Sequence, residues 1–163
     1  MSYIDDVPVT SGPAVPPEVK EITNDGFFPN IRMPDMRDAM RLDQTVTDAR
    51  LRPALVDAIL TTNKLLADWK ADQMAAGAAK LADVPAPQVD GDSRLVAQYR
   101  RAVYSFAKAD IFESYRDYDT TAGALTDKKN MEWMDQAPDV QRRNAHWAVN
   151  DIRGRERVTV ELI

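Results

Sequence analysis

Apolar residues recur at the helical period over the longest patterned stretch of the chain, residues 47–76. At about 100° per residue, one stripe collects Leu51, Leu55, Ala58, Ile59, Thr62, Leu65, Leu66, Trp69 and Ala76. Thr47 and Asp48 supply an N-cap and an acidic first turn, although Pro53 lies deep for a first-turn proline. The pattern predicts one long amphipathic helix that begins between Thr47 and Arg52 and packs its stripe on a core.

Three further stretches predict helices, one short and two longer. Residues 34–42 begin with a proline, which the first helical position tolerates, and carry a methionine edge. Residues 92–115 begin with an Asp-Ser capping pair and continue with a broad apolar stripe. Residues 126–153 keep one stripe in phase on both sides of Pro138, so we expect a kinked but continuous helix. Residues 116–125 are polar and predict a loop.

Two of these helices carry a second apolar line away from the main stripe. Seven residues bring a helix round to within about 20° of the same direction, so side chains at that spacing form a ridge. The bundle itself or another subunit must cover such a line. We favour another subunit, because four helices leave few elements to cover both sides. The predicted subunit interface consists of Val56, Leu60 and Ala67 on the long helix and Trp133, Val140 and Trp147 on the last helix.

Residues 1–33 predict an extended N-terminal arm. Six of the ten prolines lie within residues 1–34, and proline fixes its own φ and disfavours helix at the preceding residue. Phe27, Phe28 and Pro29 form an apolar exception on this polar segment. We interpret them as an anchor that holds the arm on the body of the domain or on a neighbouring molecule.

Residues 154–163 predict an extended docking segment. Gly154 ends the last helix, and apolar and polar residues then alternate at the strand period. No partner strand is predicted in the chain, so the segment pairs with another molecule, with an irregular segment or with nothing. Extended segments gain main-chain hydrogen bonds by adding to an edge or groove of another protein. The residues assigned to docking are Arg155, Arg157, Val158, Val160, Leu162 and Ile163.

These elements together predict an all-α protein. A small helical bundle of one short and three longer helices occupies residues 34–153, between the arm and the docking segment. A chain of 163 residues is long enough for one domain, which typically buries roughly 70% of the unfolded surface.

Composition argues against an enzyme, a metal protein or a membrane protein. The chain has no cysteine, and its one histidine, His146, has no partner at catalytic or metal-binding spacing. Residues 90–93 lack the remaining ligands of a calcium loop and indicate turn and cap chemistry. A net charge of −5 argues against broad binding to nucleic-acid backbones. No apolar run approaches the ~20 residues of a membrane span. We expect no catalytic activity, no cofactor and no metal.

A series of short sequences carries a resemblance to a known family. They are FFP at 27–29, MRLDQTVTDARLR at 40–52, AAG at 75–77, KLADVPA at 80–86, DG at 90–91, RAV at 101–103, ESYRDYD at 113–119, DKK at 127–129 and HWAVNDI at 146–152. In this order and spacing they resemble the head completion/stabilisation proteins of temperate contractile-tailed phages, the L-protein family. The resemblance covers the chain from Phe27 onward, and Pro138 departs from the unbroken last helix of that family.

The resemblance implies a structural protein of the virion neck, made and assembled in the host cytoplasm. Such adaptors form a homo-oligomeric ring, commonly a dodecamer, beneath the portal protein after DNA packaging. They also contact a tail-side connector or terminator protein, and packaged DNA passes the channel without specific binding. Acidic copies around a channel would repel DNA and let it slide. The alternative is a helical protein-protein interaction module unrelated to virions, such as an assembly partner or antitoxin-like protein.

Overall fold

The computed structural model describes residues 20–119 and 138–157, and within these ranges the protein is mainly helical. The helices are α1 (Met33–Met40), α2 (Asp48–Leu65), α3 (Ala67–Ala75), α4 (Arg94–Asp119) and α5 (Pro138–Ile152). Four two-residue strands form two antiparallel hairpins: β1 (Glu21–Ile22) pairs with β2 (Ile31–Arg32), and β3 (Gln88–Val89) with β4 (Asp92–Ser93). The predicted helical character is confirmed, and the hairpins are strands that the periodicity did not predict.

Helix α4 is the central element, because it packs against both α2 and α5. Its buried side chains follow the predicted stripe and include Leu95, Val96, Tyr99, Ala102, Val103 and Ala107. The helix continues to Asp119, so the predicted loop is wrong for residues 116–119. No glycine or proline occurs from residue 94 to residue 122, and polar composition alone does not end a helix.

The long amphipathic stretch is divided at Leu66 into α2 and α3, so the prediction of one helix over residues 47–76 is wrong. Leu66 has φ −102° and ψ 4°, away from helical values, and its side chain is fully buried. One turn earlier, the Thr62 hydroxyl donates a hydrogen bond to the carbonyl oxygen of Ala58 at 2.7 Å, an arrangement that often bends helices. Helix α2 begins directly after Thr47, within the predicted interval.

Residues 20–33 were expected within the extended arm, but residues 21–32 form the β1–β2 hairpin, which packs on the helices, and Met33 begins α1. Ile22 pairs with Ile31, and both side chains are buried in the same core cluster as α2 and α4. Removing these side chains from water favours the folded hairpin over a free extended segment. The rest of the predicted arm, residues 1–19, lies outside the described residues.

The β3–β4 hairpin leads directly into α4. Asp90 and Gly91 form its two-residue loop with φ +53° and +79°, and two positive φ values are the pattern of a type I′ turn. Ser93 then caps the helix, because its Oγ accepts a hydrogen bond from the Leu95 N–H at 3.3 Å. The interpretation of residues 90–93 as turn and cap chemistry is confirmed.

Helix α5 is described from Pro138, the residue at which a kink was expected. Its buried residues are Pro138, Gln141, Ala145, Ala148, Val149 and Ile152, and the last four belong to the predicted stripe. The predicted helical turns before Pro138, including Trp133, lie outside the described residues.

Candidate interaction surfaces

The predicted interaction residues fall into three groups in the fold. They are the aromatic anchor (Phe27, Phe28 and Pro29), the α2 line (Val56 and Leu60 on α2, with Ala67 at the start of α3) and the C-terminal region with Val140 and Trp147. Within residues 20–119 and 138–157, no group of His, Asp or Glu side chains is arranged to hold a metal ion. The described helices also include none with the length and hydropathy needed to cross a membrane.

The aromatic anchor lies in the core of the domain. Phe27 and Phe28 are 4% and 2% exposed, and Pro29 is half-buried. The Phe28 ring stacks on Tyr99 of α4 with centroids 4.6 Å apart, and the Phe27 ring meets Phe28 edge to face at 5.1 Å. Both are favoured aromatic geometries. The structure therefore places the anchor against the body of its own chain.

A charged pair closes the anchor from the solvent side. Asp25 Oδ1 accepts hydrogen bonds from the backbone N–H groups of Phe27 and Phe28, each at 3.0 Å. Lys70 Nζ on α3 donates to Asp25 Oδ2 at 2.7 Å and lies 5.6 Å from the Phe27 ring centroid. Burial raises the pKa of Asp25, but the hydrogen bonds from Lys70, Phe28 and Phe27 outweigh it and hold the pKa below its ordinary value.

A cyclic hydrogen-bond network joins the anchor loop to α2 and α4. Asn24 Nδ2 donates to the Tyr99 hydroxyl at 2.8 Å, and this hydroxyl donates to Asn63 Oδ1 at 2.6 Å. Asn63 Nδ2 closes the cycle by donating to Asn24 Oδ1 at 2.9 Å. Burial raises the pKa of Tyr99, so the hydroxyl stays protonated and can donate. Sequence reasoning missed this network, because its members lie 36 to 75 residues apart in the chain.

The α2 line is exposed along its length. Leu60 is 61% exposed, Val56 is 37% exposed and Ala67 is also exposed. The opposite face of α2 is the buried one, with Leu51, Leu55 and Ala58 among its core residues. No described element of the chain covers the α2 line, although single exposed apolar residues are common on protein surfaces.

Trp147 is half-buried, and two guanidinium groups lie over its ring. The Arg143 group is 4.7 Å and the Arg157 group 5.5 Å from the indole centroid. Arg157 also donates from Nε and Nη2 to the Asp151 carboxylate, at 3.1 and 2.6 Å. The residues after the helix therefore fold back along α5. Val140 is half-buried on the same helix.

The first part of the predicted docking segment is described and is not a strand. Gly154 has φ +67°, and the Arg155 N–H donates to the Asn150 carbonyl oxygen at 2.9 Å, which ends α5. The Arg155 side chain is exposed. The rest of the docking residues, Val158, Val160, Leu162 and Ile163, lie outside the described residues.

A basic cleft between α1, α4 and α5 was not predicted. It encloses about 640 Å³ and is lined by Arg41, Arg100, Arg101 and Lys108 together with uncharged residues. Arg101 and Lys108 of α4 are seven residues apart, about two helical turns, so they lie on one face of the helix, which is a readable signal. The fourth, Arg41, comes from the end of α1, and no sequence pattern links it to α4.

Comparison with known proteins gives one consistent result. A family model described as "Phage head completion protein (GPL)" matches residues 22–163. The "Head completion/stabilization protein" of Escherichia phage P2 is 42% identical over 142 residues, which cover 87% of this chain and 82% of that protein. No solved structure matches the chain.

Proposed function

Because this chain belongs to the phage head completion protein family, we propose that it is a structural protein of the virion neck. The resemblance drawn from the sequence is confirmed by the family match. In the proposed role, copies of the protein assemble under the portal protein, complete the DNA-filled head and connect it to the tail side. Assembly takes place in the host cytoplasm before the neck becomes part of the virion.

The observation that carries the proposal is the pair of unlike apolar surfaces on two helices. The α2 line is exposed and has small and medium side chains, whereas α5 carries the half-buried Val140 and Trp147, the latter partly covered by Arg143 and Arg157. A contact between two different surfaces of identical copies is heterologous, and it closes into a ring when the rotation per copy allows it. This supports a homo-oligomeric ring, for which the family suggests a dodecamer, with the two surfaces meeting between neighbours.

The net charge of −5 per copy supports passage of DNA without specific binding. Many acidic copies around a channel would produce a negative potential that repels phosphate groups. A separate contact is proposed for residues 158–163, which would dock on the portal protein or on the tail-side connector. The contacts of Arg157 with Trp147 and Asp151 support this role, because they place the start of the docking segment beside α5.

The ring is tested by placing a charge on the α2 line. Leu60→Glu should give a folded protein with native helicity that no longer forms rings, because the carboxylate would lose its water in the interface. Thr61→Glu is the matched control, since it adds the same charge to the neighbouring exposed position. Sedimentation velocity and electron microscopy measure ring formation. Normal rings from Leu60→Glu, or equal loss in both variants, would show that the α2 line is not the interface.

The docking segment is tested by deleting residues 158–163 while keeping Arg157 and its contacts. The shortened protein should fold and form rings but should not attach to purified portal protein, measured by co-sedimentation. Infection complementation supplies the second measurement, as heads should remain incomplete. Normal attachment and normal head yield would refute the docking role and leave the ring proposal standing.

A further inference from the structure

The basic cleft carries positive charge that the described residues do not neutralise. Arg100 pairs with Asp92 at 2.9 Å. In contrast, Arg41 and Arg101 form no ion pair with any residue in the described ranges. Lys108 Nζ donates to an uncharged group, the Met40 carbonyl oxygen at 3.2 Å. Among the described residues, none that lines the cleft is acidic, so three positive charges face one opening.

Two of the charges in the cleft, on Lys108 and Arg41, are held at a cost to the protein. Burial lowers the pKa of Lys108, and the nearby positive charge of Arg41 lowers it further. Arg41 also has φ +52° and ψ +48° at the end of α1, a left-handed conformation that favours glycine and is costly for other residues. A glycine would suit the backbone better, but it would remove the guanidinium group from the cleft. Such local strain is a pointer to a function.

We propose that residues 1–19 of the same chain bind in the basic cleft, with Asp5 and Asp6 as the groups that pair with Arg41 and Arg101. Residues 1–19 contain three acidic side chains, Asp5, Asp6 and Glu18, and no lysine or arginine. The segment is therefore complementary in charge to the cleft. Charge-assisted hydrogen bonds between guanidinium and carboxylate groups are among the stronger polar contacts in proteins.

The point of attachment makes this binding geometrically feasible. The Lys20 carbonyl oxygen accepts a hydrogen bond from the Met33 N–H at 2.8 Å, so the segment joins the domain beside the start of α1. The cleft lies at the other end of α1, about 12 Å away for a helix of eight residues. The 14 residues from Asp6 to Val19 can span about 43 Å in a proline-rich extended form. Tethering this close raises the effective concentration of the segment to the millimolar range.

Disulfide trapping in the full chain tests the proposal, since the protein has no cysteine of its own. The test variant carries Val7→Cys and Ala97→Cys, the latter at an exposed residue that lines the cleft. The control variant pairs Val7→Cys with Ala75→Cys, an exposed residue on α3, which does not line the cleft. Under mild oxidation, the test pair should form an intramolecular disulfide about tenfold faster than the control pair. Equal rates would overturn the proposal.

Charge reversal separates pairing from simple proximity. Arg41→Glu with Arg101→Glu should slow the test pair to the control rate, and adding Asp5→Arg with Asp6→Arg should restore fast trapping. A rate unchanged by Arg41→Glu and Arg101→Glu would overturn the proposal. Circular dichroism confirms that the variants are folded.

Two further outcomes would assign the cleft to a different occupant. A covalent dimer in place of the intramolecular product would show that the segment comes from a neighbouring copy. The other outcome is that the test pair forms its disulfide only at the control rate, while a short DNA duplex binds the protein and fails to bind Arg41→Glu with Arg101→Glu. That result would show that phosphate groups occupy the cleft. Either result overturns the assignment to the segment of the same chain.

Discussion

Removing the hydroxyl of Tyr99 should destabilise the protein, because that hydroxyl links two asparagines in the cyclic network. In Tyr99→Phe, the ring remains stacked on Phe28, so the apolar packing is kept. Asn24 Nδ2 loses the acceptor at 2.8 Å but keeps a hydrogen bond to the Pro29 carbonyl oxygen at 3.0 Å. Asn63 Oδ1 loses the donor at 2.6 Å and is left in a half-buried site.

The expected loss of unfolding free energy follows from this one acceptor, Asn63 Oδ1, which no longer has its donor. A buried polar group left without its partner costs about 1–3 kcal/mol, and partial exposure of Asn63 places the expected loss near 2 kcal/mol. For a domain of this size, each kcal/mol lowers Tm by about 2–4 °C, so Tm should fall by roughly 4–8 °C. Tyr115→Phe is the matched control, because the Tyr115 hydroxyl donates to the exposed Thr45 carbonyl oxygen at 2.8 Å. Water can replace that donor, so the control should lose less than about 1 kcal/mol.

Urea unfolding, followed by far-UV circular dichroism, measures the loss of stability in Tyr99→Phe and in Tyr115→Phe. All variants are compared at one protein concentration, because oligomerisation makes the apparent stability depend on concentration. The double variant of Tyr99→Phe with Asn63→Ala should lose about 1 kcal/mol less than the sum of the two single variants, since it removes the stranded acceptor. If Tyr99→Phe costs no more than Tyr115→Phe, the network does not stabilise the anchor loop as described.

Two other predictions concern the charged pair and the turn before α4. The folded state lowers the pKa of Asp25 below its ordinary value of 3.8. The ionised carboxylate therefore stabilises the folded protein above pH 3.8, and this stabilisation is lost as the pH falls through the lower pKa of the folded state. Urea midpoints should therefore decline below about pH 4, and less in Asp25→Asn, whereas equal declines would contradict a stabilising role. Gly91→Ala should cost about 1–2 kcal/mol because φ is +79° there, and it should leave the m-value unchanged in urea unfolding. A neutral result would contradict the type I′ geometry.

The fold could be predicted where apolar residues keep the helical spacing over a long stretch of sequence. The buried face of α4 follows its apolar spacing, and α2 begins directly after Thr47, although the Thr47 side chain makes no capping hydrogen bond. The bend at Leu66 could not be read in this way, because apolar residues stay in phase across a single non-helical residue. The β3–β4 turn was recognised as turn chemistry but not as a hairpin, although Asp-Gly is a strong hairpin signal. The β1–β2 strands, with two residues each, are too short for alternation to appear.

The predicted interaction residues also divide into those that the local sequence indicates and those that depend on residues distant in the chain. Phe27 and Phe28 were recognisable as an anchor, because adjacent aromatic residues on a polar segment need cover. Their partner Tyr99 was visible only as one member of the α4 stripe. The basic cleft combines three helices, and its residue Arg41 depends on a left-handed backbone that no apolar period encodes.

The contacts of Arg157 limit where a docking partner can lie. An extended chain advances at most about 3.6 Å per residue, so residues 158–163 stay within about 22 Å of Arg157. Arg157 contacts Trp147 and Asp151, so this radius is measured from a residue that lies beside the C-terminal part of α5. The partner proposed to bind residues 158–163 must therefore come within about 22 Å of Arg157, at the C-terminal end of α5. Substitutions at that end of α5 should then alter the geometry of the joint as well as its strength.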